Sequence, residues 1–481
     1  MSASQKATTG NDRIRKRLFV FCDGTWKDGV NNQRPLTNVA TLARCLQGIA
    51  DDGYLQLVYY DNGVGNSTSK PAQVIDGVTG RGISTKIRNA YSFISHNYNF
   101  DQPGDEIFLV GFSRGAFAVQ CLASFIGQTG LLQKQHLYYL RGLFALWKKQ
   151  NFQRIGSEKR TVERRLQFYV NRFREEELLH QVKIKACAVW DTVSALGLPT
   201  PWPRPLCFVG KEIPRVIENA FQALALDETR SQFKPCTWQS KESMETHAKQ
   251  CWFLGSHTDV GGNGDAALGA VTLIWIIGQL QANTNVTFNM EEVTKHLKHR
   301  FLEWNVRINE FLGQFKDTAI YSGLSSSGQS TKPSWYWWLS GVRSREDYLR
   351  FKPHDTELNL VHFTVRFAMS EGSTKCKMLK SWETEAQDDG PVQWKSQGMT
   401  LSEAELSESR ECKEYEIFRA WRDGIPEEPT DRTKFATFVQ GLIQDRPEEL
   451  PGGKLNSFVS LLEKHFRFTN GSLAPNTMYR P

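Results

Sequence analysis

The sequence predicts an α/β fold: a mostly parallel sheet with its functional residues at the carboxyl ends of the strands. Three observations support this. Five short apolar runs each end in small or polar residues. Segments of helical period separate them. One run passes into a helix through Gly111-Phe112-Ser113-Arg114-Gly115, a serine between two glycines.

The runs are Leu18–Cys22 before Asp23-Gly24-Thr25, Leu55–Tyr60 before Asp61-Asn62-Gly63, Ile107–Gly111 before Ser113, Ile184–Trp190 before Asp191-Thr192, and Cys251–Leu254 before Gly255-Ser256-His257. They are continuous rather than alternating, as strands buried on both faces require. Ile87, Ala90, Tyr91 and Ile94 fall at helical spacing, as do Ala118, Leu122, Phe125 and Ile126, with Gly127 as the expected helix stop. Leu131 to Gln181 is charged and aromatic at helical spacing. Pro199 to Pro205 carries four prolines and precedes a stretch, Ile217 to Asp227, that reads as helix. Both are expected to be helical cap insertions over the sheet.

Beyond about Arg366 the character changes. Glu371 to Glu416 is charged and poor in apolar residues, which suggests a surface excursion. Phe435–Ile443 and Leu455–Phe466 are amphipathic and read as a C-terminal helical extension. The expected layout is a flexible tail over 1–16, a main domain over 17–370 with insertions near 131–181 and 199–250, and the excursion with C-terminal helices over 371–481.

Composition narrows the class. With 481 residues, 40% of them hydrophobic and 12% aromatic, the chain can bury a large core. The net charge of +7 is mild, and basic residues do not gather beyond Arg13-Ile14-Arg15-Lys16-Arg17. This speaks against nucleic acid and admits a peripheral contact with anionic head groups. The nine cysteines show no CxxC and no metal-ligand spacing, so free thiols in a reducing compartment are expected, with no metal and no cofactor. The first residues, MSASQKATTGNDRIRKR, lack an apolar leader core, and a cytoplasmic location is expected. Ala266 to Met290 carries no charge, but Gln279, Gln281, Asn283 and Asn285 interrupt it, so a buried core helix fits better than a membrane span. Trp335, Trp337 and Trp338 cluster in "PSWYWWLSGV". They suit an apolar chain or membrane surface, or else an anchor onto the core.

The serine defines the chemistry. Glycines two residues either side relieve crowding at a strand-to-helix turn, so Ser113 can occupy a strained, exposed corner. The Arg114 N–H then lies at the positive end of the new helix and can hold an oxyanion. A serine needs a base, and the base an orienting carboxylate, in the chain order Ser, Asp or Glu, His. His257 follows a strand inside a glycine-rich loop, and Asp191 ends the Ile184–Trp190 run. Asp227 and Asp259 are the rival acids. Asp227 reads as a partner of Arg230, and Asp259 as a local cap of its own turn. His362, in "LVHFTVRF", reads as a structural histidine. A second oxyanion donor is expected from Gly24 or Thr25 in "FVFCDGTW". That Asp-Gly-Thr also occurs in phosphatases with D-x-D-G-T, but the nucleophilic aspartate of that motif is here Phe21.

Seven segments, in order over about residues 16–285, carry a resemblance: "FVFCDGTW", "YYDNGVGN", "GVTGRGISTKIRNAYSFISHNY", "DEIFLVGFSRGAFAVQCLA", "AVWDTVSALG", "AFQALALDETRSQFKPCTW" and "CWFLGSHTDVGG". The chain resembles the DUF2235 family, an α/β-hydrolase group that includes Tle1-type phospholipase effectors of type VI secretion. The resemblance implies a Ser113, Asp191 and His257 triad and cleavage of lipid ester bonds. The family's glycine run after the histidine is shorter here, with Asn263 following Gly261-Gly262. A non-catalytic module of the same shape, binding a lipid or protein partner, is the alternative class.

Overall fold

The computed structural model describes residues 14–24, 36–62, 81–102, 104–152, 157–193, 212–230, 233–239 and 245–297, and further 345, 358–362, 365, 376–379, 381–385, 392–396, 399–404, 468–469 and 472–473. Ten strands form one sheet. They are β1 (Lys16–Cys22), β2 (Leu55–Asp61), β3 (Glu106–Phe112), β4 (Ile184–Trp190), β5 (Ile217–Ala225), β6 (His247–Phe253), β7 (Asn359–His362), β8 (Glu383–Glu385), β9 (Gln393–Ser396) and β10 (Met399–Ala404). Their order is β8-β9-β10-β7-β6-β5-β4-β3-β1-β2. The strands from β10 to β2 in that order pair in parallel; β9 pairs antiparallel with both β8 and β10, so within this sheet β9 alone runs against the rest. The expected α/β-hydrolase-like, mostly parallel sheet is therefore the fold.

Along the central strands both faces of the sheet are buried, which explains their unbroken apolar runs; the edge strand β2 is only partly covered, with Val58 exposed. In β1, Phe19 and Phe21 face a core shared with α1 (Asn38–Cys45) and the later helix Ala266–Asn283. Leu18, Val20 and Cys22 face the opposite core, with α2 (Arg81–Asn97) and α3 (Arg114–Thr129). In α4 (Leu140–Phe152) and α5 (Ser157–Glu175), Phe144, Trp147, Leu166 and Phe173 bury in that second core too. The uncharged segment at Ala266 forms α7, after the short α6 (His257–Val260); its Leu273, Ile274, Ile277 and Leu280 are buried. Among the described residues no helix is long and apolar enough to cross a membrane.

Three expectations are corrected. Ile217–Asp227 is not helix but the central strand β5. Its alanines and leucines favour a helix in isolation. Here Phe221, Ala223 and Ala225 fill one core while Ile217 and Ala220 fill the other. A slot between β4 and β6 overrides propensity. Gly127 does not end α3, which runs to Thr129. Gly130 caps it at φ 92° and donates to the Ile126 carbonyl. Gly127 instead lies under Val216, where a Cβ would come within 3.2 Å of its side chain. The charged stretch after Glu371 is not wholly an excursion, because β8, β9 and β10 extend the sheet, with Trp394 and Leu401 buried. The segments Pro199–Pro205, Trp335–Trp338, Phe435–Ile443 and Leu455–Phe466, and Thr25, lie outside the described residues.

The strand order reverses beside β1: the chain places β2 on one side of it and β3 on the other. Ligands of open parallel sheets bind at such a crevice, outside the carboxyl ends. The helix that leaves β3 comes very close there. A Cβ on Gly115 would lie 2.1 Å from the Cys22 carbonyl oxygen, and one on Gly111 would lie 2.6 Å from Ala116 Cα. Gly115→Ala should therefore destabilise the fold by about 1–3 kcal/mol or more. Gly48→Ala, whose Cβ meets nothing within 4 Å, should stay within about 0.5 kcal/mol. Urea unfolding of the two variants checks this, and equal midpoints would contradict it.

Candidate active site

Ser113 is the single residue between β3 and α3, with φ 58° and ψ −124°. Its N–H donates to the Trp190 carbonyl at 3.0 Å, so the strand ladder holds its backbone up to the turn. Asp191 stands at the adjacent strand end, φ 35°, with its own N–H donated to Ala223 at 2.7 Å. His257 opens α6 just beyond β6. Three strand ends thus converge. Ser113 Oγ lies 2.8 Å from His257 Nε2, and His257 Nδ1 lies 2.6 Å from Asp191 Oδ2. All three side chains are buried.

Aromatic packing holds the imidazole. The Phe112 ring stacks on it with centroids 4.7 Å apart, and Phe233 lies at the same distance, tilted by 54°. Phe112 is itself seated between glycines. A Cβ on Gly261 would lie 2.1 Å from its ring, and one on Gly24 would lie 2.8 Å away. Phe233 in turn carries the Arg230 guanidinium at 4.0 Å from its centroid.

The rival acids do other things. Asp227 accepts the Gly255 N–H at 2.8 Å, and it does not pair with Arg230; that arginine pairs with Glu228, at 2.6 Å. The reason is reach. Glu228 is turned inward, accepts the Arg230 N–H (2.7 Å) and Nε–H (2.8 Å), and also accepts the His257 N–H at 3.2 Å. Asp259 accepts the Ser256 N–H and hydroxyl, both at 2.7 Å, and the Asp265 N–H. It caps its own loop. His362 is buried at the end of β7 and stacks on Phe253.

At the expected oxyanion loop the findings are mixed. Arg114 is the first residue of α3, so its N–H lies at that helix's positive end. Burial lowers its guanidinium to about 10. The Gly24 N–H is not offered to the site in this arrangement, since it donates to Asp23 Oδ1 at 2.7 Å. Asp23 also accepts the Thr37 and Tyr60 hydroxyls, at 2.6 and 2.5 Å, which ties the loop down.

One residue escaped the sequence reading altogether. Arg345 is buried beside Asp191. Its Nη1 donates to Oδ1 at 2.6 Å and its Nη2 to Oδ2 at 2.9 Å. Burial works to raise the Asp191 carboxyl, but the Arg345 charge and the hydrogen bonds from His257 and Arg345 outweigh it. The group stays well below the usual carboxylate range. For His257 burial dominates and lowers its pKa, against the raising effects of Asp191 and Glu228. Both shifts favour a neutral imidazole beside an ionised carboxylate at neutral pH. Among the described residues no cluster of potential ligands could hold a metal ion.

Comparison with known proteins gives the family. A model described as "T6SS, Phospholipase effector Tle1-like, catalytic domain" matches residues 16–279. A protein of Saccharomyces cerevisiae, described as uncharacterized protein YEL023C, is 25% identical over 252 residues, covering 48% of this chain and 35% of that protein. Among solved structures, the Tle1 effector bound to the VgrG spike from the Type 6 secretion system is 18% identical, with a TM-score of 0.30 over 55% of this chain and 56% of that one. An uncharacterized protein from Pseudomonas aeruginosa is 14% identical, with a TM-score of 0.33 over 65% of this chain and 56% of that one. The chain thus spans about a third of the yeast protein and just over half of each solved chain. The matching family model covers more than half of the sequence, and the chain belongs to the Tle1-like phospholipase effector family through its catalytic domain.

Proposed function

We propose that the protein is a serine hydrolase that cleaves a carboxylic ester of a lipid, with Ser113 as nucleophile, His257 as base and Asp191 as the orienting acid. The observation that carries this reading is the continuous contact from Ser113 Oγ to His257 Nε2 (2.8 Å) and from His257 Nδ1 to Asp191 Oδ2 (2.6 Å). Membership of a phospholipase effector family supports the lipid ester as substrate class.

In this mechanism the Ser113 hydroxyl gives its proton to Nε2 as its oxygen attacks the acyl carbon. Nδ1–H donates to Asp191, which fixes the tautomer and stabilises the imidazolium. The Arg114 N–H and one from the Gly24–Thr25 loop receive the oxyanion, the Gly24 N–H serving only once it has left Asp23. The imidazolium then protonates the departing alcohol oxygen. Water, deprotonated by the same ring, frees the acid from Ser113. Losing one oxyanion donor in such a site costs about 2.7–4 kcal/mol of transition-state stabilisation.

Ser113→Ala should abolish turnover of short and long p-nitrophenyl esters and block labelling by a fluorophosphonate probe. Full activity in that variant would exclude the serine mechanism. No labelling of folded wild type would favour a non-catalytic binding module. Asp191→Asn should slow single-turnover acylation by about 10⁴-fold, the loss the same change causes in serine proteases. It should also melt earlier, because Arg345 would face a neutral amide. Asp227→Asn and Asp259→Asn should retain most of the chemical step. Because burial holds His257 low, kcat/KM should stay level down past the ordinary imidazole value of about 6.5 and fall only at more acid pH. A limb above that value would contradict the assignment.

A further inference from the structure

We propose that Arg345 is a positioning residue for the Ser113–His257–Asp191 chain, aligning the carboxylate that meets the imidazole. The proposal rests on the serine-hydrolase reading above. Its ground is geometric. The two Nη atoms grip the two oxygens of Asp191 side by side, at 2.6 and 2.9 Å, a fork-to-fork pair. The same two atoms donate to the carbonyls of Ala225 and Phe233, at 2.8 and 2.5 Å. Ala225 ends β5 and donates its own N–H to Asp191 Oδ1 at 3.0 Å. Phe233 carries the ring that lies against His257. One buried side chain thus ties together the carboxylate that meets Nδ1, the strand end beneath it and an aromatic wall of the imidazole.

The charge has a direction too. Three charged groups bear on His257: Asp191 and Glu228 raise its basicity, and Arg345 lowers it. Glu228 is already paired with Arg230, and Asp259 is turned into its own loop. Arg345 is therefore the cation in line with the carboxylate and the ring. An imidazole made too basic by a naked carboxylate would take the serine proton readily but return it poorly to the leaving alcohol. A guanidinium sharing that carboxylate tempers the pull.

Arg345→Gln and Arg345→Lys, compared with wild type on a p-nitrophenyl ester, test this. Arg345→Gln should lower kcat about 10- to 100-fold with little change in KM, as expected for a misaligned catalytic group. Its acid limb of kcat/KM should move to higher pH by about one unit, because the cation opposing the imidazolium is gone. Arg345→Lys should keep the limb near its wild-type position yet still lose kcat, since an ammonium cannot form the fork. A residue that merely anchors its segment would lower the melting temperature and leave kcat and the limb in place, and that result in Arg345→Gln would overturn the proposal. Should Arg345→Gln fail to fold, wild-type kcat in Arg345→Lys would overturn it. Ser113→Ala separates the two levels. Activity surviving there removes the serine reading and this proposal with it. A dead Ser113→Ala beside unaffected Arg345 variants removes this proposal alone.

Discussion

The structure depends on a close approach. The first turn of α3 lies against the end of β1, so near that a Cβ at Gly115 would lie inside the van der Waals reach of two carbonyls, that of Cys22 at the end of β1 and that of Asp23 just after it. That contact lets the chain turn from β3 into α3 within one residue. It also brings the start of the helix beside the β1 loop at the point where strand order reverses. Ser113, buried, stands at the edge of this crevice because the backbone turns there. The Phe112 ring, one residue earlier, is pressed between Gly24 and Gly261 and becomes the floor for His257. One steric constraint thus sets the serine, the helix start and the seat of the imidazole together.

A second constraint is electrostatic. Asp191 is fully buried, and a buried carboxylate must find partners or lose its charge. It meets the Ala225 N–H, the His257 Nδ1 and both Nη atoms of Arg345. Arg345 lies beyond residue 279, the end of the segment that the family model matches. The segment that carries the family likeness therefore does not hold every charge that its own carboxylate needs.

Much of this was legible in the sequence, for identifiable reasons. Strands buried on both faces must be apolar throughout, so β1, β3, β4 and β6 stood out as unbroken runs. Their polar residues had to fall at the ends, which marked Ser113, Asp191 and His257. The alanines, leucines and glutamate of Ile217–Asp227 read as helix, and only the position of β5 between two strands decides otherwise. Asp227, expected to follow a helix, reads as a partner of Arg230, whereas the inward Glu228 takes that arginine. Arg345 left no local signal. A lone arginine among polar and aromatic neighbours looks solvated, and its burial depends on a carboxylate 154 residues away.

Ser113 and Asp191 share positive φ angles, 58° and 35°, in residues that carry a Cβ. Such backbone costs on the order of 1–3 kcal/mol at each position, and glycine would adopt it freely. The strain thus falls on the two residues proposed as nucleophile and orienting acid. The two would not drift alike in a copy freed from selection for turnover. At Ser113 a change to glycine would give up the hydrogen bond between its hydroxyl and His257 Nε2, but would leave no buried charge unpaired. At Asp191 the same change would strand the Arg345 cation in the interior, so that position can relax only if Arg345 goes with it. A relative with glycine at the first position and an intact Asp–Arg pair would then keep this frame without the nucleophile proposed for it.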